Sequence, residues 1–230
     1  MTKRKISLIC VSVLLSAVLI VSGLQIHSEL SSRQKEKEDF DTLAELVQPP
    51  MADPSGTEPV AEEPDAAAEP SENVRDLSEL FRQNSECIGW LCIPDTAVNY
   101  PVMHTPDNPE KYLRRNFYGE YSVSGVPFLD GRCDLDSGNL IIYGHNMKNG
   151  TMFSDLRHYA DNAFRESHAV IEFQTADGSK FYTVTEVRIT DIYDDRYSQL
   201  DTEVRTLTLS TCYGSSKSGR ILIIAAENPE

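Results

Sequence analysis

Short segments rich in β-branched and aromatic residues follow one another between residues 97 and 226, and they constrain the fold more than any other feature. They are AVNYPV (97–102), GVPFLD (125–130), NLIIYG (139–144), AVIEFQT (169–175), KFYTVTEVRIT (180–190), RTLTLST (205–211) and RILIIAA (220–226). The linker ADGS joins two of them, and its Asp177-Gly178 pair supplies the positive-φ residue that a tight hairpin needs. The pattern predicts a mainly β fold, a closed or nearly closed barrel of about seven to eight strands.

Helical spacing of apolar residues occurs in two further stretches. VRDLSELFRQN (74–84) carries its apolar residues on one helix face, and TMFSDLRHYADNAFRE (151–166) does so approximately. We therefore expect a few short helices beside the barrel.

Residues 6–26 contain no charge, and as a helix they would span the hydrocarbon layer of a bilayer, which is roughly 30 Å thick. The basic residues of segment 1–5 precede this run, and Glu29 is the first charge after it. By the positive-inside rule, we predict a transmembrane signal anchor with residues 1–5 in the cytoplasm. A cleaved signal peptide with a small-residue site at 21–23 is the alternative.

The segment 27–73 is acidic and rich in Pro and Ala, with few aromatic or β-branched residues. Such a composition buries too little apolar surface to fold, so we predict a disordered extracellular tether, with a short helix over 31–47 as the alternative in its first half. Residues 74–230 then form the folded domain.

The net charge of -15 lies largely in the tether. Because the sequence has no cluster of cationic residues, this charge argues against a nucleic-acid partner.

The cysteines form no CxxC pair and make a poor disulfide framework. We interpret Cys87, Cys92 and Cys133 as small buried hydrophobic residues, and a bridge between Cys92 and Cys133 stays open. Because Cys and His lack ligand spacing, we predict neither a metal site nor a cofactor.

Three residues could perform chemistry together. Cys212 ends one predicted strand, and Arg220 begins the next after the turn YGSSKSG, so that the two face each other if these strands pair. A nearby cation favours the thiolate, which is the nucleophile. His145 emerges just beyond NLIIYG, and imidazole exchanges a proton near neutral pH. The set suggests acyl transfer through a thioester, with a cation near the oxyanion.

Two of these stretches resemble motifs of the sortase family, and of class B sortases in particular. TLSTC (208–212), followed by an Arg on the next strand, is similar to the family's nucleophile motif, and YGHNM (143–147) is similar to its catalytic-histidine motif. IGWLCIPDTAVNYPV, GVPFLDGR and GTMFSDLRHY continue the resemblance in the family's order across nearly all of 74–226.

The resemblance implies a sortase-type barrel on the outer face of a Gram-positive cell membrane. Cys212 would attack the Thr carbonyl of a C-terminal sorting signal on a surface protein and form an acyl-enzyme. His145 would protonate the leaving amine and deprotonate the incoming one, and Arg220 would hold the substrate backbone and stabilise the oxyanion. The acceptor would be an amine of a peptidoglycan precursor or a pilin lysine.

Four further residues occupy positions that resemble the family's substrate groove: Asn108, Leu113, Ser210 and Thr211. One segment departs from the family. Class B sortases usually carry a long helix before the nucleophile strand, whereas this chain has only DIYDDRYSQLDTEV (191–204). One wall of the groove is therefore missing or rebuilt, and the sorting signal stays open between NPxTN-like and LPxTG-like motifs.

Two other functions fit the same residues. A surface cysteine endopeptidase would use the same Cys and His with water as acceptor, although the sequence lacks the CGxCW and QAC signatures of known cysteine peptidases. A catalytically inert barrel that binds peptides would leave Cys212 unactivated.

Overall fold

The computed structural model describes residues 3–47 and 75–229, which fall into two compact units, Met1–Thr42 and Leu43–Glu230. A helix, α1 (Lys3–Leu46), includes the predicted anchor residues 6–26. Over the described residues, no helix combines the length and the hydropathy that crossing a bilayer requires.

The helix continues over residues 27–46, so the helix given as the alternative for the first half of the tether is present. This stretch is rich in Glu and Leu and contains no Gly or Pro, so its helix propensity is high, and the side chains of Phe40 and Leu43 are buried. Gln34 Nε2 donates to Glu38 Oε1 one turn away (3.0 Å). The rest of the tether and the predicted domain start at Val74 lie outside the described residues.

A closed barrel of eight strands forms within residues 75–229, in the order β1-β2-β3-β4-β7-β8-β6-β5. The strands are β1 (Cys87–Cys92), β2 (Asn99–Met103), β3 (Phe128–Leu129), β4 (Asn139–Tyr143), β5 (Val170–Thr175), β6 (Gly178–Asp191), β7 (Thr206–Cys212) and β8 (Gly219–Glu227). The predicted mainly β barrel is confirmed, and each predicted β-rich segment corresponds to one strand. The additional strand is β1, whose Trp90 and Leu91 are fully buried.

The hairpin between β5 and β6 turns as its sequence predicts. Thr175 pairs with Gly178, and Gly178 has a φ of +118°, a conformation that glycine adopts without strain. Short helices lie outside the barrel: α2 (Ser78–Gln83), α3 (Asn162–Ser167) and the 3₁₀ turns Lys111–Arg114, Ser154–Ala160 and Asp195–Ser198. The helix predicted over 151–166 is therefore divided, because Asp161 is extended and caps α3 by accepting a hydrogen bond from Phe164 N (3.2 Å).

The cysteines of the barrel are free thiols, so the Cys92–Cys133 bridge does not form. Cys87 and Cys133 are buried as expected, and burial raises the pKa of the Cys87 thiol to about 12. Cys92 is only half-buried. Cys212, in contrast, is exposed.

Strands β4 and β7 run parallel to each other in the barrel. β4 is buried from Asn139 to Ile142, and β7 is buried from Thr206 to Thr211. Strands covered on both faces are typical of parallel pairs inside a fold. The first exposed residue of β7 is Cys212, so burial ends where the predicted nucleophile begins.

Candidate active site

The parallel pairing of β4 and β7 brings His145 and Cys212 to the same edge of the barrel. Tyr143 of β4 pairs with Ser210 of β7. His145 comes two residues after Tyr143, and Cys212 comes two residues after Ser210. Gly144 N donates to Ser210 O (3.2 Å), which continues the ladder into the site. Two residues from distant parts of the chain thus emerge side by side, as parallel strands require.

Cys212 and Arg220 are direct partners across the antiparallel pair β7 and β8. The facing arrangement predicted from the two strand ends is confirmed. Arg220 Nη1 donates to the backbone oxygens of Gly219 (2.9 Å) and Lys217 (3.1 Å), so the guanidinium is held against the turn that joins the two strands. Arg220 and Cys212 are thus opposite each other on neighbouring strands, and the guanidinium is bonded to the backbone of the turn.

His145 is half-buried, and its Nε2 lies 2.9 Å from the backbone oxygen of Leu113. A carbonyl oxygen only accepts hydrogen bonds, so Nε2 carries a proton and Nδ1 is the nitrogen left for proton exchange. Burial lowers the pKa of His145 below its usual value, the bond to Leu113 opposes this effect, and the charge of Arg114 lowers the pKa further. The neutral imidazole is thus favoured near pH 7.

Two side-chain hydrogen bonds extend the β4–β7 ladder past its last backbone pair. Asn146 Nδ2 donates to Cys212 O (2.9 Å), and Thr211 Oγ1 donates to Gly144 O (2.7 Å). They tie the histidine loop to the end of the nucleophile strand after the two backbones begin to diverge. The spacing between imidazole and thiol therefore depends on these two side chains.

A cleft of about 590 Å³ contains all three predicted catalytic residues. Its remaining lining is Pro109, Glu110, Leu113, Phe128, Asp130, Gly131, Arg132, Tyr143, Gly144, Ile192, Tyr197, Ser210 and Thr211. An exposed thiol, an imidazole and a guanidinium in one cleft are the parts needed for thioester chemistry. Over the described residues, no group of three or more His, Cys, Asp or Glu side chains could hold a metal ion.

Comparison with known proteins agrees with this geometry. The profile of the sortase domain matches residues 91–228. The chain belongs to the sortase family, a family of cysteine transpeptidases.

The relatives are class B sortases. Sortase B of Listeria monocytogenes is 40% identical over 125 residues, which are 53% of this chain and 48% of that protein, so this match spans about half the relative's length. Sortase B of Staphylococcus aureus is 28% identical over 254 aligned positions, covering 97% of each chain. A solved Staphylococcus aureus sortase B–substrate complex has the same fold, with a TM-score of 0.65 and 23% identity over 86% of this chain and 98% of that one.

The substrate-binding residues predicted for this sortase fall into two groups. Leu113 lines the cleft and holds His145 through its backbone oxygen, whereas Ser210 and Thr211 line it with buried side chains whose hydroxyls bond inside the protein. Asn108 lies outside the cleft lining, exposed in a turn where its amide N donates to Thr105 O (3.0 Å). The structure therefore brings three of the four residues to the cleft.

A charged and aromatic network in the sortase cleft was missed from the sequence. Arg132 donates to both oxygens of Asp130 (2.9 and 2.8 Å), and Tyr143 OH donates to Asp130 Oδ2 (2.7 Å). Burial raises the pKa of Asp130, but these hydrogen bonds more than offset it, so the net pKa is lowered. Tyr197 stacks on Tyr143 with ring centroids 6.1 Å apart. The motif GVPFLDGR contains the ion pair, yet nothing local marks it as part of the cleft.

We expect Asn146→Ala to slow the reaction of Cys212 with iodoacetamide without unfolding the sortase domain. A hydrogen bond of this kind contributes about 1 kcal/mol, which corresponds to roughly a fivefold loss in rate. Asn149→Ala is the matched control, because Asn149 lies in the same loop and bonds only locally to Thr151. Equal alkylation rates for the Asn146 variant and the wild type would contradict the positioning role.

The pKa of His145 should be measured by NMR titration of its imidazole protons, and we expect a value below the usual 6.5. Because the folded state disfavours the proton, the stability that this group contributes is fully present above the unfolded pKa and is lost as the pH falls through the folded one. His145→Gln should remove this part of the acid destabilisation. A folded pKa above 6.5 would show that the bond to Leu113, and not burial, dominates the site.

Proposed function

We propose that this sortase is a cell-surface transpeptidase that cleaves the C-terminal sorting signal of secreted proteins and joins them to an amine. The observation that carries the proposal is the cross-strand pairing of Cys212 with Arg220 in the cleft that His145 also lines. The substrate bound in the staphylococcal complex supports a peptide-binding role for the equivalent cleft here.

In the first half-reaction, Cys212 Sγ attacks the carbonyl carbon of the threonine in the sorting signal. The neutral imidazole of His145 takes the thiol proton at Nδ1 as Sγ attacks. The thioester forms as the C–N bond breaks, and the resulting imidazolium gives that proton to the leaving amine. Since Nε2–H is engaged by Leu113 O, Nδ1 is the site of this exchange. The released product is the C-terminal remainder of the signal.

In the second half-reaction, an amine attacks the thioester and Cys212 departs as thiolate. The neutral form of His145, which burial favours, takes the proton from the incoming amine. The acceptor we propose is the amine of a peptidoglycan precursor or, for a polymerising enzyme, a pilin lysine. Cys212 is exposed, so water can take the same thioester when no amine is present.

Arg220 acts on the oxyanion that appears in both half-reactions. Its Nη1 is bonded to the turn backbone opposite Cys212, and its Nε and Nη2 are the donors we propose for the negative charge as it develops. Preorganised donors of this kind are worth more in a cleft than in water, because the local dielectric is lower.

The proposed location is the outer face of the cell membrane, with residues 6–26 as the anchor and residues 1–5 in the cytoplasm. The support is the uncharged run and the basic residues before it. Deletion of residues 1–73 should move the protein from the membrane fraction to the soluble fraction. Recovery of the full-length chain in the soluble fraction would contradict the anchor.

We expect Cys212→Ala to abolish acyl-enzyme formation, and Arg220→Ala to slow it by a factor that corresponds to about 3 kcal/mol, or roughly a hundredfold or more. Intact-mass spectrometry of the chain with NPxTN-like and LPxTG-like peptides, with and without a nucleophilic amine, measures both. Arg82→Ala is the control for losing a guanidinium, because the side chain of Arg82 is 75% exposed and its ion pair is with Glu79 in the same helix, α2. Near-normal acylation in the Arg220 variant would contradict its role, and hydrolysed product alone in the presence of amine would favour an endopeptidase.

A further inference from the structure

The amine that resolves the thioester must approach from outside the cleft, because the acyl part of the first substrate still occupies it. This amine gives its proton to Nδ1 of His145, whose Nε2 is held by Leu113 O (2.9 Å). Leu113 lines the cleft, and the next residue of the lining along the chain is Phe128. The residues that follow Leu113 are thus next to the imidazole but outside the space that the first substrate takes.

These residues form a hairpin over 114–122 with a fixed backbone. Ser122 N donates to Arg114 O (3.0 Å), which closes the hairpin at its base. Inside the turn Asn116 is buried, and the ring of Phe117 is 1% exposed. Exposed side chains of the hairpin therefore project from a defined position.

Arg114 is the first residue of the hairpin, and its side chain is exposed. Its peptide nitrogen belongs to the same peptide group as the carbonyl that holds His145, so its Cα lies about 4 Å from that of Leu113. Over the described residues its guanidinium makes no ion pair and no hydrogen bond. A free cation thus lies at the histidine end of the cleft.

The surroundings of Arg114 make its lack of a partner notable. The next residue, Arg115, donates from Nη1 to Gly119 O (2.6 Å) and is bonded within the hairpin. Glu110 precedes the same 3₁₀ turn and lines the cleft without pairing with Arg114. The sequence has 36 acidic residues and 21 basic ones, so carboxylates that could pair with a guanidinium are plentiful. That none of the described ones does so leaves this guanidinium available for a ligand.

The group that suits such a cation is a carboxylate. A guanidinium is a planar fork that donates two parallel hydrogen bonds to the two oxygens of a carboxylate. An acceptor that carries a carboxylate about one side-chain length from its amine can bind Arg114 while the amine reaches the thioester. A neutral acceptor of the same size gains nothing from this contact.

We propose that Arg114 binds a carboxylate of the incoming amine and thereby selects acidic acceptors over neutral ones. This inference rests on the proposed transpeptidase function and adds an acceptor subsite to it. The subsite favours a diamino acid with a free carboxylate over a lysine inside a folded protein, whose carboxyl group is taken up in a peptide bond.

The bond changes of the second half-reaction are the same with or without this contact. The amine nitrogen bonds to the carbonyl carbon of the thioester, the C–S bond breaks, and the amine proton passes to Nδ1 of His145. Arg114 exchanges neither protons nor electrons. It acts by holding the acceptor while its amine attacks.

The test uses the full-length chain in detergent, the sorting-signal peptide that acylates Cys212, and two amines, Nα-acetyl-lysine and Nα-acetyl-lysinamide. Both present the same ε-amine, and they differ only in a carboxylate or a neutral amide. The readout is the ratio of ligated to hydrolysed product, which does not depend on the rate of acylation. We expect the wild type to favour the carboxylate by about three- to fivefold, the upper range for an exposed ion pair, and added salt should reduce this preference.

Arg114→Gln should abolish the preference for the carboxylate, and Arg114→Lys should keep part of it, because the charge remains while the fork is lost. Arg115→Gln is the matched control, since it removes the same charge from the next residue, and it should keep the preference. Loss of the Arg114 charge also removes one influence on the pKa of His145, beside the larger effect of burial. That change acts on both amines alike, so the comparison between them isolates binding.

The possible results separate this subsite from the proposed function. Equal use of the two amines by the wild type would overturn the subsite and leave the transpeptidase intact. A preference that survives in Arg114→Gln, or that is lost equally in Arg115→Gln, would overturn the assignment to Arg114. No acyl-enzyme with any peptide would reject the proposed function itself, and an acyl-enzyme that both amines leave to water would reject the transfer step and the subsite with it.

Discussion

The parallel pairing of β4 with β7 is the constraint on which the site depends. It places the ends of two strands, separated by a long stretch of chain, at one edge of a closed barrel, and each end carries one reactive side chain. A shift of one residue in this register would turn Cys212 toward the opposite face and away from His145. Because both strands are buried nearly throughout, the apolar core on one side and the contacts of the buried threonines with Arg196 on the other specify a single register.

Beyond the last backbone hydrogen bond between β4 and β7, polar side chains form the hydrogen bonds that connect the two strand ends. Asn146 and Thr211 bridge the diverging strands, and Leu113 O orients the imidazole. The aromatic and charged groups of the cleft floor have their own polar ends satisfied internally, through Asp130 and Ser210. The polar groups of the cleft floor are thus largely hydrogen-bonded within the protein, and Cys212 is exposed at the end of β7. Such preorganisation is what a covalent catalyst needs, because little has to move when charge develops.

Much of the fold could be predicted from the sequence, because each predicted strand has a recognisable local run of β-branched and aromatic residues. β-branched runs bounded by turn residues located every predicted strand, and Asp177-Gly178 located a hairpin. The pattern was less informative over residues 27–46, whose composition favoured a disordered tether. This stretch is helical, its intrinsic helix propensity is high, and the side chains of Phe40 and Leu43 are buried. The helix predicted over 151–166 was divided by the cap at Asp161, a local hydrogen bond that periodicity does not register. Asn108, chosen by resemblance alone, lies in a turn outside the cleft.

The sequence by itself determined the chemistry and the family. A strand-end cysteine, an arginine at the start of the next strand and a histidine beyond a third indicated thioester chemistry, since residue type and strand position are local properties. Tertiary structure alone decided which nitrogen of His145 is free, that Asn146 reaches Cys212, and that Arg196 and Tyr197 cover the polar face of β7. The contacts of His145 and Asn146 join residues 32 and 66 positions apart, and those of Arg196 and Tyr197 join residues 12 and 13 positions apart. Their partners are chosen by the closure of the barrel and the register of its parallel pair, and neither is encoded in any single stretch of residues.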